Sequence, residues 1–184
     1  EGGWGNGTMS EGSTQDQPIN SLGVLLAHAL AMETDAAERY GELADQMEMH
    51  RKADVAGIFR RLAKAEQKHL DELEEMCAEM DLPHIAPWDF KWGGESPEAI
   101  AVDRVSYQMS VKGAVLLALD HEKQAYGFYS RVAAQTSDSE VRRLARQFAD
   151  EELQHVAWLE EWRDKCGPDD EKPFDDPDPP LSQE

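Results

Sequence analysis

Glu66-Gln67-Lys68-His69 and Glu152-Leu153-Gln154-His155 repeat one pattern, a glutamate followed three residues later by a histidine. On a helix, residues three apart share a face, so each pair can offer a carboxylate and an imidazole to the same metal ion. Glu33 and Glu122 precede the two pairs by 33 and 30 residues. One glutamate from each of two helices, with a Glu-x-x-His from each of two more, is the donor set of a carboxylate-bridged di-metal centre in a four-helix bundle. Two adjacent metal ions can share the charge that develops on a reacting oxygen species.

With 21 glutamates and 6 histidines in 184 residues, chance supplies fewer than one Glu-x-x-His pair, so the setting of the two pairs matters more than their number. Around the first pair the apolar stripe runs Val55, Ile58, Phe59, Leu62, Leu73 and Met76. Around the second it runs Val141, Leu144, Phe148, Leu159 and Trp162. Glu33 interrupts Leu22, Leu26, Ala29, Ala36, Tyr40 and Leu43, and Glu122 interrupts Val111, Val115, Ala118, Ala125, Tyr129 and Val132. Each stripe keeps the helical period and is broken only by the candidate ligands. Burying such carboxylates costs several kcal/mol each unless they are paired or hold a metal. A metal-free polar layer is the competing account.

These stripes predict helices over about 20–49, 53–80, 110–135 and 138–165, with turns near 50 and 137. Pro83, Pro87, Gly93, Gly94 and Pro97 break the connection over 81–109, in which Ser96-Pro97-Glu98 reads as the start of a short helix. Glu33 and Glu66 lie about 17 and 16 residues from the first turn, Glu122 and Glu152 about 15 from the second, so each hairpin's ligands are level within a few ångströms. The halves also repeat Tyr40 and Ala44 after Glu33 as Tyr129 and Ala133 after Glu122. The long connection can return along a whole helix, which makes the second and third helices parallel. The fold class is therefore all-α, two helical hairpins joined by a long crossover. Residues 1–19 read as a flexible segment, with 1–8 ahead of Met9 looking like an added leader. Residues 20–165 form the bundle, and 166–184 read as an acidic, proline-rich disordered tail.

Composition narrows the function. A formal charge of −20 argues against nucleic acid, and no apolar run suffices for a membrane helix. The same negative field could concentrate cations, although most charge runs are simply solvated faces. Cys77 and Cys166 are the two cysteines and no Cys-x-x-Cys occurs, which excludes a four-cysteine metal site within one chain and suggests a reducing, cytoplasmic compartment. In the crossover topology they fall at opposite ends of the bundle, roughly 28 Å or more apart and beyond disulfide reach.

Glu122-Lys-Gln-Ala-Tyr-Gly-Phe-Tyr129 with Phe148-Ala-Asp-Glu-Glu152-Leu-Gln-His155, and Ile58-Phe59 through Glu66-Gln-Lys-His69, resemble the rubrerythrin branch of the ferritin-like superfamily over about residues 20–163. The resemblance implies a non-haem di-iron oxidoreductase acting on O2 or hydrogen peroxide, as a ferroxidase or a rubrerythrin-like peroxidase. It implies Glu66 and Glu152 as bridging ligands, with Glu33, Glu122, His69 and His155 terminal. Two departures stand out. The cysteines of a rubredoxin domain are missing, and Ala125 stands where classical members carry an extra glutamate. Both favour simpler ferritin-type chemistry on Fe2+, or an external electron donor. Manganese in place of iron, an iron store with little turnover, and a metal-free helical interaction module remain as alternatives, and a homodimer or higher homo-oligomer is expected.

Of the other polar residues, Tyr40 and Tyr129 could orient ligand carboxylates. His121 points about 100° away from Glu122 and reads as a surface or interface residue. His28, His50 and His84 are expected to have no ligand role. Trp88, Phe90 and Trp92 in the connection either cap the bundle or meet a second subunit.

Overall fold

A computed structural model describes residues 18–86, 90 and 110–172. It contains four long helices, α1 (Leu22–Met49), α2 (Ala53–Cys77), α3 (Val111–Gln135) and α4 (Ser139–Lys165), followed by a 3-10 turn over Pro168–Glu171. The bundle consists of two hairpins, α1–α2 and α3–α4, joined by a crossover. No helix among the described residues is long and apolar enough to cross a membrane.

The core is split into two apolar clusters. One gathers the C-terminal half of α1 (Tyr40, Leu43, Met47), the N-terminal half of α2 (Ile58, Phe59, Leu62), the N-terminal half of α3 (Val115, Ala118) and the end of α4 (Leu159). The other gathers the start of α1 (Leu25, Leu26), the end of α2 (Leu73), the end of α3 (Phe128, Val132) and the start of α4 (Val141, Leu144). Like halves of α2 and α3 meet, so these two helices are parallel and α4 runs against α2. Cys77 packs on one cluster and Cys166 on the other; both thiols are free, at opposite ends of the bundle. Each fully buried leucine or phenylalanine contributes about 1.5–3 kcal/mol, so the two clusters offset the polar layer between them.

Local signals set the helix ends. At the first turn Arg51 N–H bonds Glu48 O and Lys52 N–H bonds Met47 O, both at 2.9 Å, which closes a Schellman motif. Its left-handed position is held by Arg51, at φ 59°, where glycine is the usual residue. At the second turn Asp138 caps α4 by accepting from the backbone of Glu140 and Val141 at 2.8 and 2.9 Å. Asn20 Oδ1 accepts from Ser137 N at 2.7 Å and from Thr136 Oγ1 at 3.1 Å, tying the start of the first hairpin to the turn of the second.

Several expectations need correction. Helix α2 ends at Cys77, not near 80, and Met76, assigned to the apolar stripe, is 44% exposed. At the helix end the inward position passes to Cys77, which packs on the second cluster, and Met76 is turned outward. The tail expected from 166 does not hold for residues 166–172, where Glu171 pairs with Lys112 of α3 at 2.6 Å. Ile19, placed in the flexible segment, is buried in the second cluster. The short helix at 96–98, Trp88 and Trp92 lie outside the described residues. Phe90 packs edge-on against His28, with ring centroids 5.1 Å apart.

Candidate metal centre

All six candidate ligands lie in the layer between the two apolar clusters. Glu33, Glu66, Glu122, Glu152 and His155 are buried, and His69 is partly exposed. Ligand atoms of Glu33, Glu66 and His69 lie within 4.8 Å of one another, as do those of Glu66, Glu152 and His155. Glu66 belongs to both triads. Glu122 joins the layer through His155, whose Nδ1 is 3.2 Å from Glu122 Oε2, 2.8 Å from Glu66 Oε1 and 3.5 Å from Glu152 Oε2. Nδ1 of His69 lies 3.5 Å from Glu66 and 3.7 Å from Glu33. The two imidazoles stack with centroids 5.5 Å apart.

The donor set of the layer suits a metal. Both carboxylate oxygens of Glu66 are buried without a well-aligned hydrogen bond, and each faces an imidazole at ion-pair distance, His155 at 2.8 Å from Oε1 and His69 at 3.5 Å from Oε2. An unsatisfied buried carboxylate is among the most costly groups in a protein interior. Carboxylate oxygens and imidazole nitrogens suit iron, manganese and related divalent ions. The donors present therefore fit two metal ions sharing Glu66.

Without metal, protons take the cations' place. Burial pushes the Glu33 carboxyl up to about 8, against the opposing pull of His69. Burial likewise pushes Glu152 well above the carboxylate range. The carboxylates of Glu33 and Glu66 raise His69 to about 10. For His155 burial disfavours the charged form, but Glu122, Glu152 and Glu66 together outweigh it and raise the imidazole strongly. Burial also works against Glu66, yet the two imidazoles hold it well below its ordinary range. Glu66 is the anion around which the layer is organised.

Two tyrosines support the layer by crossing it. The Tyr40 hydroxyl of the first hairpin donates to Glu122 Oε1 of the second. The Tyr129 hydroxyl of the second donates to Glu33 Oε1 of the first at 3.2 Å. Side chains on a helix lean toward its N-terminus. Tyr40 therefore leans toward the layer, while Glu33 on the same helix leans away from Tyr40. Glu122, on the antiparallel α3, leans to meet Tyr40. Each tyrosine thus reaches the carboxylate of the opposite hairpin, not that of its own helix.

Histidine expectations divide. His28 Nδ1 lies 2.8 Å from Val24 O and its ring stacks on Phe128 at 5.4 Å, in the apolar cluster and outside both ligand triads. His84 is exposed and His50 half-buried at the end of α1. His121 is buried, not a surface residue: its Nε2 lies 3.5 Å from Asp35 of α1, which Arg39 also holds at 2.8 Å. The residue sequence reading passed over is Trp158. Its indole centroid is 5.5 Å from the His155 ring, and it is 39% exposed. Three residues beyond a ligand histidine on the same helix face was the available signal.

Residues 25–170 match the rubrerythrin family model. In three dimensions the chain is similar to an uncharacterised conserved protein from Magnetospirillum magnetotacticum MS-1, whose crystal structure was determined at 2.00 Å. The two share 37% sequence identity and superpose with a TM-score of 0.69, over 80% of this chain and 96% of that one. No curated protein matches the chain.

Proposed function

The chain belongs to the rubrerythrin family, and from that premise we propose that it is a di-iron carboxylate oxidoreductase acting on O2 or hydrogen peroxide. The observation that carries this reading is Glu66, buried, shared by two ligand triads and left without a hydrogen bond on either oxygen. Glu66 and Glu152, with Glu33, His69, Glu122 and His155, would hold the two ions. Bound there, the metal pair would supply electrons to the oxidant and neutralise charge on its oxygens.

The protein's own groups prepare the site. Tyr129 and Tyr40 fix the orientation of Glu33 and Glu122, as hydrogen-bonded outer partners do for metal ligands. Glu33, protonated near neutral pH in the metal-free layer, gives up its proton when it becomes a ligand. His69 is the ligand nearest to solvent, with 16% of its side chain exposed, so a small oxidant would reach the layer beside it. The apolar clusters above and below keep bulk water out of the rest.

Aerobic and anaerobic loading with Fe2+ tests the reading. Metal analysis should give about two ions per chain. Peroxide or O2 added to the anaerobically loaded protein should be consumed as near-ultraviolet charge-transfer absorbance appears. Faster consumption of peroxide marks the peroxidase and faster consumption of O2 the ferroxidase. Slow consumption of both marks an iron store. Native protein carrying manganese in place of iron, or binding no metal at all, would overturn the di-iron assignment.

A further inference from the structure

Building on that reading, we propose that Trp158 is a positioning residue for His155: clasped by Arg61, its indole closes the seam between α2 and α4 and makes the ion held by His155 the slowly exchanging one of the pair. Four side chains form a column across that seam. The Arg61 guanidinium of α2 lies over the Trp158 ring of α4, 5.4 Å from its centroid. The indole centroid is 5.5 Å from the His155 ring, with the planes tilted by 33°. His155 in turn stacks on His69 of α2, with centroids 5.5 Å apart and planes 16° from parallel. Each helix supplies two members at helical spacing, Arg61 and His69 eight residues apart and His155 and Trp158 three.

The column runs from solvent to the ligand layer. At its outer end Trp158 is 39% exposed and borders an open groove of about 600 Å³, beside Arg61, Lys64 and Lys68 of α2. At its inner end Nδ1 of His155 faces Glu66, Glu122 and Glu152. The indole therefore stands between the groove and an imidazole whose side chain is 4% exposed. His69 lies at the edge of the same layer with 16% of its side chain exposed. Two imidazoles from near-identical motifs thus differ in what stands outside them.

That difference acts on exchange. An ion leaves its ligands stepwise, as water enters and each side chain turns away. The apolar shell around a site controls the entry of water, and the indole is that shell on the seam side of His155. An imidazole lets go of an ion when its ring turns, and His155 has a ring on either side, Trp158 and His69. Close packing leaves such a ring few rotamers. Arg61 adds a weaker hold, because a cation over an exposed aromatic face is worth about two- to fivefold in a rate.

The test loads the full chain with Co2+, adds excess chelator and follows the loss of the visible cobalt absorbance. Wild-type protein should release its ions in two phases. Glu33→Gln, which takes a ligand from the first triad alone, should keep the slow phase and lose the fast one, assigning the slow phase to the ion at His155. Trp158→Ala should speed the slow phase about tenfold or more and leave the fast phase unchanged. Trp158→Phe puts a ring back in the same place and should restore most of the slowing. Arg61→Ala, at an exposed position that the fold does not depend on, should speed the slow phase by about two- to fivefold. A single release phase in wild type, or a slow phase indifferent to Trp158→Ala, overturns the proposal. So does equal acceleration of both phases, which general loosening of the bundle would give, or a phenylalanine variant that releases as fast as the alanine one. Wild-type protein that binds fewer than two Co2+ ions would instead remove the two-ion reading beneath it.

Discussion

In the first hairpin His69 keeps 16% of its side chain in solvent and faces two carboxylates; in the second, His155 keeps 4% and faces three. The ligand patterns of the hairpins are near copies. What differs is their surroundings: Trp158 covers His155 from α4, whereas His69 lies beside the more open edge of α2. Repetition of a motif therefore does not produce equivalent half-sites. The second half is the more enclosed one, and the first is the half more open to solvent.

The most severe way to break this arrangement is to remove the group the halves share. Glu66→Gln should abolish binding of both ions, whereas Glu33→Gln should spare the ion held by the second hairpin. Metal content after gel filtration reads both. The metal-free Glu66→Gln protein should melt lower than metal-free wild type, because the anion that the two imidazoles stabilise is removed while they stay in the layer. Two tightly bound ions in Glu66→Gln would refute the shared role.

A smaller effect separates the histidines. His155→Ala removes a group that contacts Glu66, Glu122 and Glu152 together, and should weaken metal binding more than His69→Ala. Competition with a chelator of known affinity measures the ratio. Equal losses would mean that the half-sites are equivalent after all.

Proton binding sharpens the same contrast. Glu33 is raised from 4.5 to about 8 by burial, and His69 from 6.5 to about 10 by its carboxylates. Both hold protons more tightly in the folded metal-free protein than in the unfolded chain. The stability they lend is complete below their ordinary values and is lost as pH rises, from about 4.5 to 8 for Glu33 and from about 6.5 to 10 for His69. Glu66, held low, acts in the opposite sense and withdraws stability only as pH falls below its ordinary range. Metal-free protein should therefore melt at a lower temperature at pH 9 than at pH 6. Metal affinity should rise over the same interval, because the ions displace those protons. Calorimetry in buffers of different ionisation enthalpy would expose the released protons; metal binding without proton release would contradict this account.

Most of the fold was legible in the sequence because burial writes a period into it. The four stripes located the helices, and the depth of Glu33, Glu66, Glu122 and Glu152 beneath their turns gave a common level. Contacts across helices were legible only in part. The crossing of Tyr40 to Glu122 and of Tyr129 to Glu33 follows from the antiparallel α1 and α3 that the crossover topology already implies, once side-chain lean is added. His121 turned inward to Asp35 depends on how close neighbouring helices stand, which no periodicity records, whereas Trp158 beside His155 was legible from their spacing on one helix face. Met76 shows the opposite failure, a residue in phase with the stripe that is left exposed while its neighbour Cys77 packs inward.

The two hairpin turns give the mildest test of the comparison. The second is secured by Asp138, and Asp138→Ala should cost about 1 kcal/mol through loss of the two backbone bonds it accepts. In the first, Arg51 sits at φ 59°, a conformation that disfavours side chains with a Cβ by about 1–2 kcal/mol. Glycine would remove that strain but would also loosen the unfolded chain by about 0.4–1 kcal/mol. The Arg51 side chain is exposed and makes no described contact that would be forfeited. Arg51→Gly should therefore stabilise the protein by a net of about 0.5 kcal/mol, and for a chain of this size raise its melting temperature by about 1–2 °C. The measurement belongs on metal-free protein, where bound ions do not mask so small a change. Because the turn lies about 17 residues from the ligand layer, metal affinity should not move. A lower melting temperature in Arg51→Gly would mean that the arginine side chain, and not the backbone it strains, is what the first turn depends on.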